Sequence, residues 1–591
     1  MGEYKPVHEL VAQRAAETPD ACAVTDAAGT ITYADLVARA ETLAETLIRS
    51  GLTPGDTVAV QLRRSGAAIV ALLAVSRAGG GALMLDIDGP RRWLEGFVEI
   101  TRPVAWLAHD DAPPPPYTGT VISLGVDGTT TEPAPDEVPI GTEASPIEFP
   151  DVESEDLACL VQTSGTTGLP KLVRVPQRTW TTAAKTQCQL HGIDAAERGA
   201  WLFPSHTNVS VSVVVWPFLI CGGHLSVPSD DLIGAPEELA EWIAAERVTQ
   251  CFAVAPLAEA LAKQDWPPSP LRLLLTGSDR VREWGRVDLP FEVGNWYGAN
   301  EVNIVTSSVV PWDQRITSAT ADRSEDEGPP PIGRAWPGVR WRVVDPDGAD
   351  VAEGEIGELL VGGDQLAIGY HSARKTAEKF TPDAGAVPAG ERIYRTGDLV
   401  RVRDGIFEHC GRTDEQVKIN GVRVEMAEVE AALLACPGVR EAAAAPVETD
   451  TGRLQLVGYV VTEPGALVED AGLRRRLAEL LPAHMVPVAY VHLDALPRNR
   501  GDKIDRRALP ALESSRAETS DALGGRVAAV FAGVLERESC APNDNFFLLG
   551  GDSMRATQAA RTLTSELGRE VSVEQVIMHP TPRELSELIR N

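Results

Sequence analysis

The sequence predicts a multi-domain α/β chain that closes with an all-α bundle. Three observations carry this expectation. The chain has 591 residues, more than one ordinary domain holds. Its first part alternates helical and strand-like apolar patterns, the order expected of crossover units on largely parallel sheets. Its last part, after a polar stretch of small residues, shows apolar positions at helical spacing only.

The elements follow in order. Residues 35–50 carry apolar side chains at helical spacing, then come Gly51, a TPGD turn and the apolar run TVAVQL. A second helical stretch at 66–78 ends in AGGG and leads into ALMLDI. Proline-rich loops begin at 113–116 and surround 329–331, but strand-like runs resume on both sides, so neither reads as a boundary. Better boundaries lie at the polar GRTDEQ segment (411–416) and at ALESSRAETSDA (511–522), a linker composition. The expected division is therefore 1–412, 413–510, a linker at 511–522 and a bundle at 523–591. In the bundle, Val527, Val530, Phe531, Val534 and Leu535 form one stripe, and Ala556, Ala559, Ala560, Leu563 and Leu567 form another. A further helix opens at Thr581-Pro582-Arg583-Glu584, a capping box with proline at the first helical position.

Composition narrows the functional classes. Apolar residues make up 43% of the chain, enough for real cores. The formal net charge of −31 disfavours nucleic acid and anionic membranes as partners. Eight cysteines are scattered without a C-x-x-C pair and read as reduced thiols. The amino terminus lacks the apolar stretch of a signal peptide, and the longest apolar run, 67–75, is too short to span a bilayer. A soluble cytoplasmic protein is the expectation.

At 157–175 the chain reads LACLVQTSGTTGLPKLVRV. Two apolar runs flank Thr163, Ser164, Gly165, Thr166, Thr167, Gly168 and Lys171. Glycines let a backbone approach a ligand, hydroxyls and N–H groups donate to phosphate oxygens, and one lysine supplies charge. The spacing is not that of the G-x-x-x-x-G-K-[ST] loop.

This segment resembles the phosphate loop TSGTTGxPK of adenylate-forming, AMP-binding enzymes, specifically the adenylation domains of nonribosomal peptide synthetases. Leu172 stands where that family usually has glycine. The resemblance continues through Asn295-Trp296-Tyr297-Gly298-Ala299-Asn300-Glu301, similar to N-x-Y-G-P-T-E with Ala299 and Asn300 departing. It then takes in Gly357-Glu358-Leu359 with Gly369-Tyr370, Tyr394-Arg395-Thr396-Gly397-Asp398, Gly411 to Lys418, and Lys503-Ile504-Asp505-Arg506, where Asp502 displaces the usual glycine. It spans about 500 residues, and its motifs are specific in this order.

The resemblance implies a large adenylate-forming N-terminal domain, a small mobile α+β lobe and a C-terminal four-helix-type carrier bundle. It also implies roles. Tyr297 would stack on adenine, with Asn295 and Gly298 also among the cofactor-binding residues; Glu301 would hold Mg2+; Asp398 and Arg412 would clamp the ribose of ATP. Lys503 would bridge the substrate carboxylate and the adenylate oxygens, Asp414 would be the hinge, and Gly421 would line a thiol channel. In DNFFLLGGDSM (544–554), Asp552 is a good N-cap for a helix starting at Ser553. The segment resembles a carrier-protein G-G-D/H-S motif, so Ser553 would bear phosphopantetheine, attached by a separate phosphopantetheinyl transferase. The implied activity is an ATP-dependent acid–thiol ligation on a free-standing didomain, serving natural-product biosynthesis.

The acid is least legible. Amino-acid-activating relatives place an aspartate in an F-D-x-S-V-like segment; here an ungapped count puts Val209 there, and an alignment anchored on His206 puts Thr207 or Asn208 there. No alignment gives an acid, and a buried ammonium without a carboxylate is costly. The expected substrate is a small keto, hydroxy, aryl or β-amino acid. The other carried-over pocket positions are Val213, Ala253, Leu274, Thr276, Trp296, Ile304 and Val305, mostly apolar. Leu274 and Ile304 read equally as core, and His206 equally as a structural histidine. Two alternatives stand beside this reading: a non-catalytic carrier scaffold with a degenerate adenylation lobe, and a ligase for a small amino acid bound without the usual aspartate. A ligase for free coenzyme A is disfavoured by the fused carrier. Downstream condensation or tailoring enzymes in trans, and a small MbtH-like activator protein, complete the candidate partners.

Overall fold

The computed structural model describes residues 4–109, 114, 116–125, 128–129, 147–163, 171–279, 281, 289–310, 331–382, 391–413, 417–419, 422–449, 453–498, 504–510 and 522–590. Two large sheets build the first part. In the nine-stranded sheet, Cys22–Asp26, His224–Ser226, Arg198–Trp201, Gln250–Val254, Leu273–Gly277 and Glu292–Ala299 run parallel side by side. Antiparallel strands close its edges. The seven-stranded sheet has a parallel centre of Leu157–Thr163, Gly81–Met84, Thr57–Gln61, Ala105–Ala108 and Thr120–Ser123. The strands alternate with helices such as Tyr33–Arg49 and Gly66–Arg77, where Leu36, Ala40, Leu43 and Leu47 form the buried stripe that the sequence spacing predicts. Gly66–Arg77 is buried on nearly every side, as befits a helix between the two sheets.

A five-stranded antiparallel sheet follows, with Arg392–Arg403 at its centre. The small lobe is α+β: Val439–Glu448, Leu454–Thr462 and Ala489–His492 form its sheet, packed by Met426–Leu434 and Asp470–Ala478. The last part is helical, with Ala522–Val534, Ser553–Leu567, Val573–Met578 and Pro582–Arg590. Its core gathers Val527, Phe531, Phe546, Ala556, Ala559, Leu563 and Leu585. The capping box at Thr581 and Glu584 forms as expected. The short helix Val573–Met578 is not among the stripes that the spacing predicts; Ser572 and Gln575 close a second capping box before it. All eight cysteines are free thiols. Among the described residues, no helix is long and apolar enough to cross a membrane.

Candidate active site

The site is assembled where parallel strands of the nine-stranded sheet end and the antiparallel sheet abuts them, the usual place for a ligand in open α/β sheets. The pairing of Arg392–Arg403 with Ile406–Arg412 sets Asp398 opposite Arg412. Asp398 is 8% exposed. Its Oδ1 accepts from Arg412 Nη1 and lies 3.2 Å from His409 Nε2, and its Oδ2 accepts from the Tyr297 hydroxyl at 2.6 Å. Arg412 Nη2 donates to the Thr396 carbonyl at 3.1 Å, which fixes the guanidinium plane. Burial, then the Asp398 carboxylate, push the Tyr297 phenol well above its ordinary value, so it stays a donor. Three of the expected nucleotide residues are thus in mutual contact. His409, which joins them, carries no motif signal; only the strand register reveals it.

The phosphate side lies nearby in the topology. Thr163 ends one strand and pairs with Lys171, the first residue of Lys171–Pro176. Residues 164–170, and therefore Ser164, Gly165, Thr166, Thr167 and Gly168, lie outside the described residues, as does the Thr163 side chain. Lys171 Nζ donates to Glu425 Oε1 of the small lobe at 3.1 Å, with side chains only 11% and 6% exposed. Glu301 is 1% exposed and accepts from the Tyr370 hydroxyl at 2.8 Å. Tyr370 pairs with the Lys171–Pro176 strand, which ties Glu301 to the phosphate side. A buried carboxylate is a hard oxygen donor suited to Mg2+, so the residues fit the ion. Asn295 is buried and pairs with Thr276. Gly298 is required by a close approach: a Cβ there would lie 2.0 Å from the Asn303 carbonyl oxygen.

The proposed acid pocket is divided by the sheet. Val213, Trp296, Ile304 and Val305 join the main core, and Val209 packs against it. Ala253 and Leu274 belong to the cluster under helices Pro236–Ala245 and Ala255–Leu261, on the opposite face. Thr276 shares the side of Leu274 by strand alternation. Trp296 stacks near Phe252, His191 and Trp336, with centroids 4.9–5.8 Å away. Ser210–Val215 is wound as a π-helix, a form frequent at functional sites. Its polar residues and Asn208 bind core groups: Trp180 Nε1 donates to Asn208 Oδ1, Trp201 Nε1 to Ser210 Oγ, and Asn303 Nδ2 to Ser212 Oγ. Asn208 Nδ2 and Thr276 Oγ1 are buried and have no hydrogen-bond partner among the described residues. His206 stands 3.9 Å from Asp86.

The third component is the carrier. Asp552 caps Ser553–Leu567, its Oδ1 accepting from the Arg555 N–H at 2.8 Å. That places Ser553 at the positive end of a helix, a setting suited to a phosphodiester. The Ser553 side chain lies outside the described residues, as do Lys503, Asp414 and Gly421. The neighbouring Ile504 and Arg506 are anchored on the small lobe, Arg506 Nη2 donating to Glu430 Oε1 at 2.7 Å. The carrier touches both other parts. Gln455 Nε2 donates to the Gly551 carbonyl at 2.9 Å, Asn545 Nδ2 to the Val488 carbonyl at 2.7 Å, and Arg474 Nη1 to the Met578 carbonyl at 2.8 Å. Met554 packs against the large-domain cluster that contains Leu239, Ala253 and Leu274.

Comparison with known proteins agrees with this construction. The model of the AMP-binding enzyme family matches residues 11–371, that of the AMP-binding enzyme C-terminal domain residues 428–503, and that of the phosphopantetheine attachment site residues 525–589. The chain is 32% identical over 624 residues to isonitrile lipopeptide synthase of Streptomyces coeruleorubidus, covering 100% of this chain and 40% of that protein. It is 34% identical to phenyloxazoline synthase MbtB of Mycobacterium sp. (strain MCS), covering 94% of this chain and 47% of that one. Against tyrocidine synthase 3 of Brevibacillus parabrevis it is 30% identical, covering 99% of this chain and 9% of that protein. The chain thus spans less than half the length of these curated relatives. Among solved structures, holo-PA1221, an NRPS protein containing adenylation and PCP domains bound to a vinylsulfonamide inhibitor, superposes with a TM-score of 0.75 at 24% identity. The match covers 99% of this chain and 97% of that one. The chain belongs to the AMP-binding enzyme family and joins that fold to a phosphopantetheine carrier domain, the makeup of an AMP-forming acid–thiol ligase of the nonribosomal peptide synthetase kind.

Proposed function

We propose that this chain activates a small carboxylic acid with ATP and loads it onto its own carrier at Ser553. The observation that carries the reading is the seating of the carrier: Gln455 and Arg453 of the small lobe hold Gly551 and Asp552, while Met554 packs on the large domain. The residue between Asp552 and Met554 therefore stands where all three parts meet.

The chemistry follows from the residues. A carboxylate oxygen of the acid attacks the α-phosphorus of ATP, the new P–O bond forms, and pyrophosphate leaves. Two anions must meet, so cations are needed. Lys171, with Mg2+ when bound at Glu301, supplies them on the phosphate side. Asp398, oriented by Tyr297, His409 and Arg412, receives the ribose hydroxyls. Lys503 carries charge to the reacting carboxylate. Phosphopantetheine, when bound to Ser553, supplies the thiol that displaces AMP.

The acid is one without an α-ammonium held in the usual way. On the face that carries Trp296, none of Asn208, Val209, Val213, Trp296, Ile304 and Val305 is acidic. The buried Asn208 Nδ2, on the side of Trp296, is a neutral donor suited to a carbonyl or hydroxyl. A keto, hydroxy, aryl or β-amino acid meets these conditions. The test is mass spectrometry of the pantetheinylated protein after incubation with ATP and a panel of acids, with pyrophosphate exchange measured beside it. A mass gain that vanishes in Ser553→Ala while exchange persists supports the reading; no exchange with any acid favours a non-catalytic scaffold.

A further inference from the structure

One cation joins all three parts of the chain. Arg453 leads into the small-lobe strand Leu454–Thr462, and backbone and hydroxyl bonds to Thr449 pin it across the hairpin. Its Nη1 binds Asp552 Oδ2 of the carrier, and its Nη2 lies 3.8 Å from Glu259 Oε2 of the large domain. Glu259 and Asp552 are 7% and 5% exposed, and the Arg453 side chain is 14% exposed. Two residues on, on the same strand face, Gln455 takes the Gly551 carbonyl. Asp552 divides its work: one oxygen caps the helix that starts at Ser553, the other meets Arg453.

We propose that Arg453 is the positioning residue that selects the loading pose, and that through it the small lobe favours carriers with an acidic residue directly before the pantetheinylated serine. The inference rests on the reading that Ser553 is loaded by this chain. Its physical basis is a three-body charge balance. Two nearly buried carboxylates from different parts converge on one guanidinium, whose planar fork can serve both. With Arg453 present one positive charge lies between the two carboxylates and offsets part of their repulsion; without it the same assembly sets two buried anions together, which is costly. Once the carrier or lobe moves away, Glu259 and Asp552 separate and that repulsion disappears. Arg453 therefore weighs on the loading pose and not on acid activation.

The experiment measures single-turnover loading of the pantetheinylated protein, with pyrophosphate exchange as the control. Arg453→Ala should slow loading by about 30-fold while exchange stays within about twofold. Removing the opposing charge should restore part of the loss: Arg453→Ala with Glu259→Gln should load about fivefold faster than Arg453→Ala alone. On the carrier side, Asp552→Asn keeps a good cap yet loses the charge, and should slow loading by about tenfold. Loading of Arg453→Ala within about threefold of the parent, or a double variant no faster than the single one, overturns the proposal. Should Arg453→Ala fail to fold, Glu259→Arg, which sets a like charge beside Arg453, is read instead; unchanged loading there overturns it as well. Failure of the underlying reading shows separately, as a parent protein that gains no pantetheine mass at Ser553.

Discussion

At the residue scale, Asp398 is a buried carboxylate on which three side chains converge. They belong to Tyr297, His409 and Arg412, and the Arg412 side chain is only 16% exposed. Asp398→Asn keeps the shape but removes the charge that balances Arg412. Hydrogen bonds to charged groups are worth about 1.5–3 kcal/mol, so the KM for ATP in pyrophosphate exchange should rise about 10- to 100-fold. An unchanged KM would remove Asp398 from the nucleotide site. Several histidines give a second prediction. Burial, then a neighbouring arginine, push His8 down to about 3, and His191 and His224 down to about 4, from the ordinary 6.5. The folded state resists protonating them while the unfolded chain does not, so the unfolded state binds more protons as pH falls below 6.5. Stability is therefore complete above that value and is lost progressively towards about 4. Urea midpoints followed from neutral to mildly acidic pH should fall, and His8→Gln, which removes one such site, should flatten the fall. Asp398 and Arg412 are legible in the sequence because a motif marks them. His409 is not, because its role arises from strand register, with Val400 its partner across the ladder.

At the scale of elements, strands and helices are legible where periodicity is strong. The Tyr33–Arg49 stripe and the Ser553–Leu567 helix with its Asp552 cap follow directly from spacing. Ser210–Val215 follows the opposite course. Its S-V-S-V alternation is a strand pattern, yet the segment is helical and wholly buried, so no polar face was needed to betray it. The same limit governs the acid pocket. Sequence carry-over names residues but not sheet faces, and Ala253 with Leu274 proves to face helices that Trp296 does not. The turn after Tyr297 offers the prediction at this scale. Gly298 sits at a register shift against Asn303 and Ile304, and Asn303 holds φ at +57° while bonding Ser212. A Cβ at 298 meets backbone, which cannot swing aside. Gly298→Ala should cost about 1–3 kcal/mol and displace Tyr297 and Glu301 together. Thermal unfolding should shift down, and nucleotide affinity should fall with it. A variant of full stability and affinity would show the strands free to part.

For the whole molecule, the ion pair of Lys171 with Glu425 links the phosphate side to the position of the small lobe. The two residues are 254 apart in sequence, and both side chains are largely buried. In the proposed reaction the same lysine holds the phosphates of ATP and then pyrophosphate. One ammonium cannot hold a polyphosphate and Glu425 in this geometry together, because the added anion would face the carboxylate at short range. The arrangement seen here, with the carrier seated and Lys171 on Glu425, is thus the one expected after pyrophosphate has gone. Lys375, whose pKa is lowered by burial and then by Lys171, stands close enough to feel both that ammonium and the Glu425 carboxylate. Glu425→Gln removes the carboxylate and keeps the shape. Loading should slow about three- to tenfold while pyrophosphate exchange is retained, since the exchange step does not use the pair. Added pyrophosphate should slow loading in the parent beyond simple reversal of activation, and less so in the variant. Equal loading by the two proteins, with equal sensitivity to pyrophosphate, would show that the pair follows the lobe movement without guiding it.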